Sequence, residues 1–335
     1  MWYVLWRGRE YRVETSGKTS VLERLACVAR LRGDATCRPC LTDAFGALLE
    51  PEPPLTMRSW RIYQALIGCT GDTLLSPKEM SAANITTEWM RNDGLRVPVF
   101  ISAYPTAAMD LGMEVPSGLT VAAVGSVIGP RHSISTVNVS KQVEGPLLTM
   151  GDWMDYWATP PEERPQVLKT SLLPVAGSPL EQRLRAPAAI RGSDLAYHAW
   201  PEELGGRPQV QSNVLMSVEG SHRDFALDVG GASVWYHMLS GHQVFLMAPP
   251  TRPNLSAFVK WSIARRRGVA GFFGELAGGM YRCEVKAGET LLVPGGWVHA
   301  TAALQDSVAV GGHFLHGDCP LFLRRLPDCT PAGRM

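Results

Sequence analysis

The sequence predicts a mainly β protein, a jelly roll of short strands with α-helices packed outside it. Three observations carry this reading. From about residue 166 onward, runs of four to eight residues rich in β-branched and aromatic side chains follow one another at roughly even spacing. Tight glycine turns separate several of them, at Ser240-Gly241, Lys286-Ala287-Gly288 and Pro294-Gly295-Gly296. Helical periodicity is confined to the first half and to one insertion between strands. Many short strands punctuated in this way indicate a sandwich or barrel.

Residues 1–80 read as an N-terminal region, partly helical and otherwise unassigned. Within it "TSVLERLACVARL" (19–31) places apolar residues at 21, 22, 25, 28 and 31, a helical face opened by a Ser20 cap. The Pro-rich "LEPEPPLT" at 49–56 reads as a linker. Residues 81–165 read as a helical lead-in. There "ITTEWMRNDG" (85–94) is a short helix ended by Gly94, followed by the apolar run "LRVPVFI", and "TMGDWMDYW" (149–157) is a capped helix closed by "PPEERP". Residues 166–325 form the jelly roll, with strands expected at "VLMSVEG", "SVWYHML", "VFLMAPP", "YRCEVK", "TLLVPG" and "SVAVGGHFL". The helical pattern "TRPNLSAFVKWSIARRR" (251–267) is an insertion between strands, and 326–335 is a tail.

Composition narrows the function classes. At 335 residues, 45% hydrophobic and 19% charged, the chain reads as a soluble protein with one large core and a smaller flanking unit. Lys and Arg (32) nearly balance Asp and Glu (31), so overall charge gives no warrant for sequence-independent nucleic-acid or membrane binding. The local cluster Arg265-Arg266-Arg267 reads as a solvated face. No window approaches the ~18 consecutive apolar residues of a membrane span, and the apolar start "MWYVLW" is too short for a signal peptide. Seven cysteines without a disulfide spacing suit a reducing compartment, the cytoplasm or nucleus. Cys37-Arg-Pro-Cys40 has zinc-ligand spacing, but Cys27 and Cys69 are distant and unpaired, so free thiols are the expectation.

The stretch that bears on chemistry is "RDFALDVGGASVWYHML" (223–239). In a strand, residues i and i+2 share a face. A two-His-one-carboxylate iron site therefore takes a His-x-Asp pair from one strand and a distant His from another. Asp228 and His299 are in place for two of the three, His299 following a Pro-Gly-Gly turn in "LLVPGGWVHATAAL"; the remaining position is Ala226.

The segments "LMSVEGSHRDFALDVGGASVWYHMLSGHQVFLMAPP", "FFGELAGGMYRCEVKAGETLLVPGGWVHA" and "VAVGGHFLHG" resemble the JmjC domain of histone lysine demethylases. The similarity extends upstream through "DLGMEVPSGLTVAAVGSVIG", "VNVSKQ", "TMGDWMDYW" and "AWPEE", covering roughly residues 82–320. It is closest to the JmjC histone demethylation proteins acting on histone H3 and their PHD-finger relatives. The resemblance implies a double-stranded β-helix, the cupin-like form of the jelly roll. It also implies Fe(II)- and 2-oxoglutarate-dependent removal of methyl groups from lysine, of the lysine-36 type on histone H3. Nuclear or nucleocytoplasmic location follows, with the histone H3 tail or chromatin proteins as partners.

Carried over residue by residue, the resemblance gives Asp228 and His299 as metal ligands and Ala226 at the position of the first His. The family's co-substrate Thr and Lys, three before and seventeen after that His, are Arg223 and Gln243 here. Tyr236 matches a tyrosine lining the co-substrate pocket, and Ser140 stands where close relatives have Asn. His313 replaces a family Asn fourteen positions after the distal His.

Three readings follow. In the first the site is degenerate, since a methyl group cannot ligate iron and a neutral Gln cannot replace a cation opposite a carboxylate. In the second it is rearranged, with Asp228, His299 and His313 as a shifted triad and Arg223 meeting the carboxylate. In the third, the scaffold has a role that never involved the pocket. Of the other histidines, His222 lies about 13 Å along the strand from position 226, His237 and His316 read as structural, and His242 as a turn residue. Nothing before residue 80 completes a PHD finger.

Overall fold

A computed structural model describes residues 2–6, 9–13, 55–69, 74–92, 94–103, 107–116, 118–164, 166–200, 210–228 and 231–316. The helix expected at 19–31, Cys27, Cys37, Cys40 and the 326–335 tail lie outside the described residues.

The jelly roll is built from eight strands: β9 (Asn213–Ser217), β10 (His222–Ala226), β11 (Ser233–Ser240), β12 (His242–Ala248), β13 (Tyr281–Lys286), β14 (Thr290–Val293), β15 (Val298–Ala303) and β16 (Ser307–Phe314). A four-stranded sheet runs β10-β15-β12-β13, and the heart of a larger sheet runs β14-β11-β16-β9. The chain thus passes back and forth between two sheets, which is the double-stranded β-helix. The larger sheet is extended on one side by β4 (Val99–Ile101) and β3 (Lys78–Glu79). On the other it is extended by β7 (Leu168–Thr170), β5 (Ser133–Asn138) and β6 (Val143–Thr149), with β8 (Leu173–Pro174) paired to β9. A separate hairpin joins β1 (Trp2–Trp6) and β2 (Arg9–Val13). The segment read as a helical lead-in therefore also supplies strands.

Side-chain alternation explains why "SVWYHML" reads as an unbroken apolar run. Val234, Tyr236 and Met238 point between the sheets, where they meet Phe245 and Met247 of β12, Val285 of β13 and Leu291 of β14. Trp235 points the other way, into the core that Met216, Val308 and Val310 share with Val124, Met150 and Trp153 of the flanking helices. Both faces are covered, so both must be apolar.

Outside the smaller sheet lies a third core. Phe225, Leu246, Ala248 and Ala300 meet Leu255, Phe258 and Trp261 of the helix Arg252–Arg266, with Phe273 below. Thr251 caps that helix, its side chain accepting from the Asn254 amide. Arg265, expected on a solvated face, pairs with Asp224 at 3.2 Å and lies over the Trp261 ring, so it ties the helix to β10. The helix Leu55–Gly68 begins inside the stretch read as a linker; Tyr63 and Leu66 join the same core, and Tyr63 donates to the Ala303 carbonyl at 3.2 Å. The expected helix at 149–157 runs Met150–Ala158. Thr149 and Asp152 form a capping box at its start.

Candidate metal and co-substrate site

The site is set by the pairing of β10 with β15. Arg223 stands opposite Thr301 and Ala226 opposite His299, so three steps along β10 match two along β15. The extra residue makes a bulge at Asp224-Phe225. Phe225 turns outward into the aromatic core, and Asp224 reaches outward to Arg265. Arg223 and Ala226 can both face inward despite their odd spacing. Ala226 brings a methyl group to the place directly beside the His299 imidazole.

Asp228, just beyond β10, carries a buried carboxylate. Its Oδ1 lies 3.1 Å from His313 Nε2 and 3.9 Å from Arg223 Nη1, and its Oδ2 lies 3.7 Å from His299 Nδ1. Burial works against its charge. The combined pull of His299, His313 and Arg223 overcomes that and holds the carboxyl well below the usual carboxylate range. An ionised carboxylate accepts hydrogen bonds and donates none. His313 Nε2 therefore carries the proton it donates to Asp228, and a protonated nitrogen has no lone pair for a metal.

His299 is fully buried, and burial pushes its pKa down against the opposite pull of Asp228. Its Nδ1 lies 3.4 Å from the Trp297 carbonyl and its Nε2 3.4 Å from the Tyr236 hydroxyl. The carbonyl accepts only, so Nδ1 holds the proton and Nε2 faces Tyr236 with its lone pair. The nitrogen able to bind a metal is thus not the one beside Asp228. Among the described residues no group of three or more His, Cys, Asp and Glu side chains is arranged to hold a metal ion. The donor set does not fit an iron triad, because one position is the methyl group of Ala226 and the His313 nitrogen nearest Asp228 carries the proton it donates to that carboxylate.

The co-substrate positions are also engaged internally. Gln243 donates from Nε2 to the Ser307 hydroxyl at 2.7 Å, and that hydroxyl donates onward to the Ser217 carbonyl at 3.3 Å. Tyr236 is buried, and burial together with the nearby Asp228 charge raises its phenol above the ordinary value. Ser140 sits in the turn between β5 and β6. Its neighbour Gln142, with φ 51°, is the residue that reaches β10: its Nε2 donates to the His222 carbonyl and its Oε1 accepts from the Asp224 amide.

The remaining histidines have other partners. His222 faces outward toward the Tyr63 ring, and His237 Nδ1 lies 2.9 Å from Thr290 Oγ1. His316 Nε2 lies 3.1 Å from the Ser233 hydroxyl. His242, expected in a turn, is the first residue of β12 and pairs with Glu284 at 3.0 Å, because the Ser240-Gly241 turn is shorter than the glycine signal suggested. Cys69 and Cys283 are free thiols. One nearby residue escaped the sequence reading: Lys169, in the three-residue strand β7, which carries no pattern long enough to assign a face.

No protein-family model matches the chain. Curated proteins do. Over 246 residues the chain is 35% identical to histone lysine demethylase PHF8 of Danio rerio, covering 73% of this chain and 23% of that protein. It is 33% identical over 260 residues to lysine-specific demethylase 2A of Xenopus tropicalis, covering 73% of this chain and 22% of the other. With JmjC domain-containing histone demethylation protein 1 of Yarrowia lipolytica it shares 33% identity over 246 residues, covering 71% and 48%. The chain thus spans less than half the length of these relatives.

Proposed function

The chain belongs to the JmjC-domain family of histone lysine demethylases, and from that premise we propose that it is a nuclear, chromatin-associated protein whose pocket no longer works as an oxygenase. The observation that carries this reading is the register of β10 on β15, which sets Ala226 against His299 where a ligating imidazole is required. The family's chemistry needs Fe(II) and 2-oxoglutarate. Asp228 and His299 are the residues of this chain that match the metal positions, and Tyr236, Arg223, Gln243 and Ser140 those near the co-substrate. In this protein Asp228 instead serves as the centre of a charge cluster with His313 and Arg223, and Gln243 as a brace to Ser307. These roles keep the barrel closed and shaped.

The retained role is recognition, with the histone H3 tail or a chromatin protein as partner. Methylated and unmethylated histone H3 peptides are the test. Binding with no loss of methyl groups, followed by mass spectrometry in the presence of Fe(II) and 2-oxoglutarate, is the expected result. Methyl loss at turnover rates contradicts the reading.

A second reading rests on the 3.1 Å approach of His313 to Asp228. With the His313 proton on Nδ1 instead, its Nε2 lone pair joins Asp228 and His299 as a shifted metal set, and the protein demethylates histone H3 of the lysine-36 type. Under that reading His313→Ala abolishes turnover, whereas turnover that survives this substitution removes it.

A further inference from the structure

We infer that the solvent face of the helix Arg252–Arg266 is a binding surface for the phosphate backbone of double-stranded DNA. This goes beyond the reading of the pocket, because the helix covers the outer face of the smaller sheet, away from the barrel interior.

The charge is visible first in the sequence. Residues 55–68 and 251–274, which supply the two helices packed on this sheet, contain seven Lys and Arg and no Asp or Glu. The rest of the chain holds the remaining 25 cations against all 31 acids, so a nearly neutral protein is strongly polarised. Arg265 is neutralised by Asp224. Arg252, Lys260, Arg266 and Arg267 are exposed, and among the described residues none of them forms an ion pair.

Helical periodicity gathers these four. At about 100° per residue they fall within an arc of about 120°. Asn254, Leu255, Phe258 and Trp261, the buried residues of the helix, occupy a separate arc turned toward the barrel, and Arg265 lies within that one. The stability of the helix does not account for the cations. Arg266 in the last turn complements the macrodipole, but Arg252 in the first turn opposes it, and that turn holds no acid. With no Asp or Glu three or four residues from any of the four, no intrahelical pair is gained either.

The side chains on this face select a duplex. Single strands are held by exposed rings that stack on bases, and membranes by large apolar side chains on the inserted face. Phe258 and Trp261 are instead buried against the barrel. Asn254, whose amide could read a base edge, is buried and donates to the carbonyls of Pro249 and Gly278. What remains outside is a straight row of cations roughly 22 Å long. Such a row suits the regular phosphates of duplex DNA and is indifferent to base sequence.

The full chain in excess chelator is titrated by fluorescence anisotropy with a labelled mixed-sequence DNA duplex of about 20 base pairs, beginning at about 50 mM salt. The single strand, anionic phosphatidylserine vesicles and poly-Glu serve as competitors. The expected result is duplex binding whose log K falls against log salt with a slope of about −3.6, the value for four phosphate contacts. Affinity then drops about a hundredfold between about 50 and 200 mM salt. Arg266→Gln with Arg267→Gln should weaken binding at least about tenfold at the lower salt and bring the slope to about −1.8. The same two positions changed to Lys should keep affinity within a few-fold. Lys260→Gln and Arg252→Gln, each reducing the slope by about 0.9, read the face at two further points. All of these side chains are exposed, and a Tm near that of the parent confirms each fold. As a control, Lys78→Gln with Arg183→Gln removes the same charge beside the larger sheet and should leave binding unchanged. The inference is overturned by no duplex binding, by unchanged binding in Arg266→Gln with Arg267→Gln, or by an equal loss in the control. Tighter binding of the single strand, the vesicles or poly-Glu overturns it as well. Because these titrations exclude metal, their failure leaves the reading of the pocket standing, and iron binding in a separate assay would overturn that reading and leave this one.

Discussion

His313 Nε2 donates to Asp228 Oδ1 at 3.1 Å, joining the end of the barrel's last strand to the segment just beyond β10. The bond spans 85 residues of sequence and gives the buried carboxylate its closest hydrogen-bond donor. The Asp228 carboxylate is held ionised by His299, His313 and Arg223 against the effect of burial.

Loss of this donor should be felt in stability. His313→Ala leaves Asp228 with two longer contacts in a buried setting, and is expected to cost about 1–3 kcal/mol in urea denaturation. His313→Asn, whose amide can still donate, should cost less. Equal stability of all three proteins would show that the bond contributes nothing.

A second pair fixes the lead-in helix to the barrel. Arg164 donates to both oxygens of Asp306 at 2.9 and 2.6 Å and to the carbonyls of Trp157 and Thr159. Burial works to raise the Asp306 carboxyl, but the Arg164 hydrogen bonds, the Glu219 amide and the Arg164 charge outweigh it and hold it low. A depressed carboxyl contributes stability that is present above its unfolded value, about 3.9, and lost as pH falls through the folded value. The difference in Tm between the parent protein and Asp306→Asn should be constant above about pH 5 and shrink below about pH 4.

His237 sets an earlier acid window. Burial lowers its pKa to about 4, so the folded protein holds it neutral. Its unfolded value is about 6.5. Stability is therefore complete above that pH and declines as pH falls from about 6.5 toward 4, by roughly 2–3 kcal/mol. In His237→Gln that segment of the stability profile should flatten, and an unchanged slope would exclude His237 as its source.

Gly241 makes the β11–β12 turn possible. Its φ of +81° suits glycine, and an added Cβ would meet the backbone of Asp306 and Ser307. Gly241→Ala is expected to destabilise by more than about 1 kcal/mol, beyond the usual cost of a left-handed backbone alone. A melting curve like that of the parent would show that the turn relaxes freely.

Local features were the legible ones. The Thr149-Asp152 capping box lies within four residues, so the helix start was visible in "TMGDWMDYW". Strands β11, β12, β14 and β16 were visible because continuous apolar runs bounded by glycine mark strands buried on both faces. The change at Ala226 was plain from the sequence, but the bulge at Asp224-Phe225 was not, because a bulge is defined by the partner strand. Gln142 did not announce its contact with β10, which depends on a positive φ that the sequence alone does not signal. The sequence offered His313 as a replacement metal ligand beside Asp228 and His299; it could not show that His313 hydrogen-bonds Asp228, or through which nitrogen.

On the function proposed above, the methyl group of Ala226 beside His299 prevents metal binding. Anaerobic Fe(II) calorimetry on the parent protein, Ala226→His and His313→Ala tests it most directly. The expected result is no binding by the parent or by His313→Ala and binding restored in Ala226→His. Micromolar binding by the parent that His313→Ala abolishes would contradict it and establish the rearranged triad.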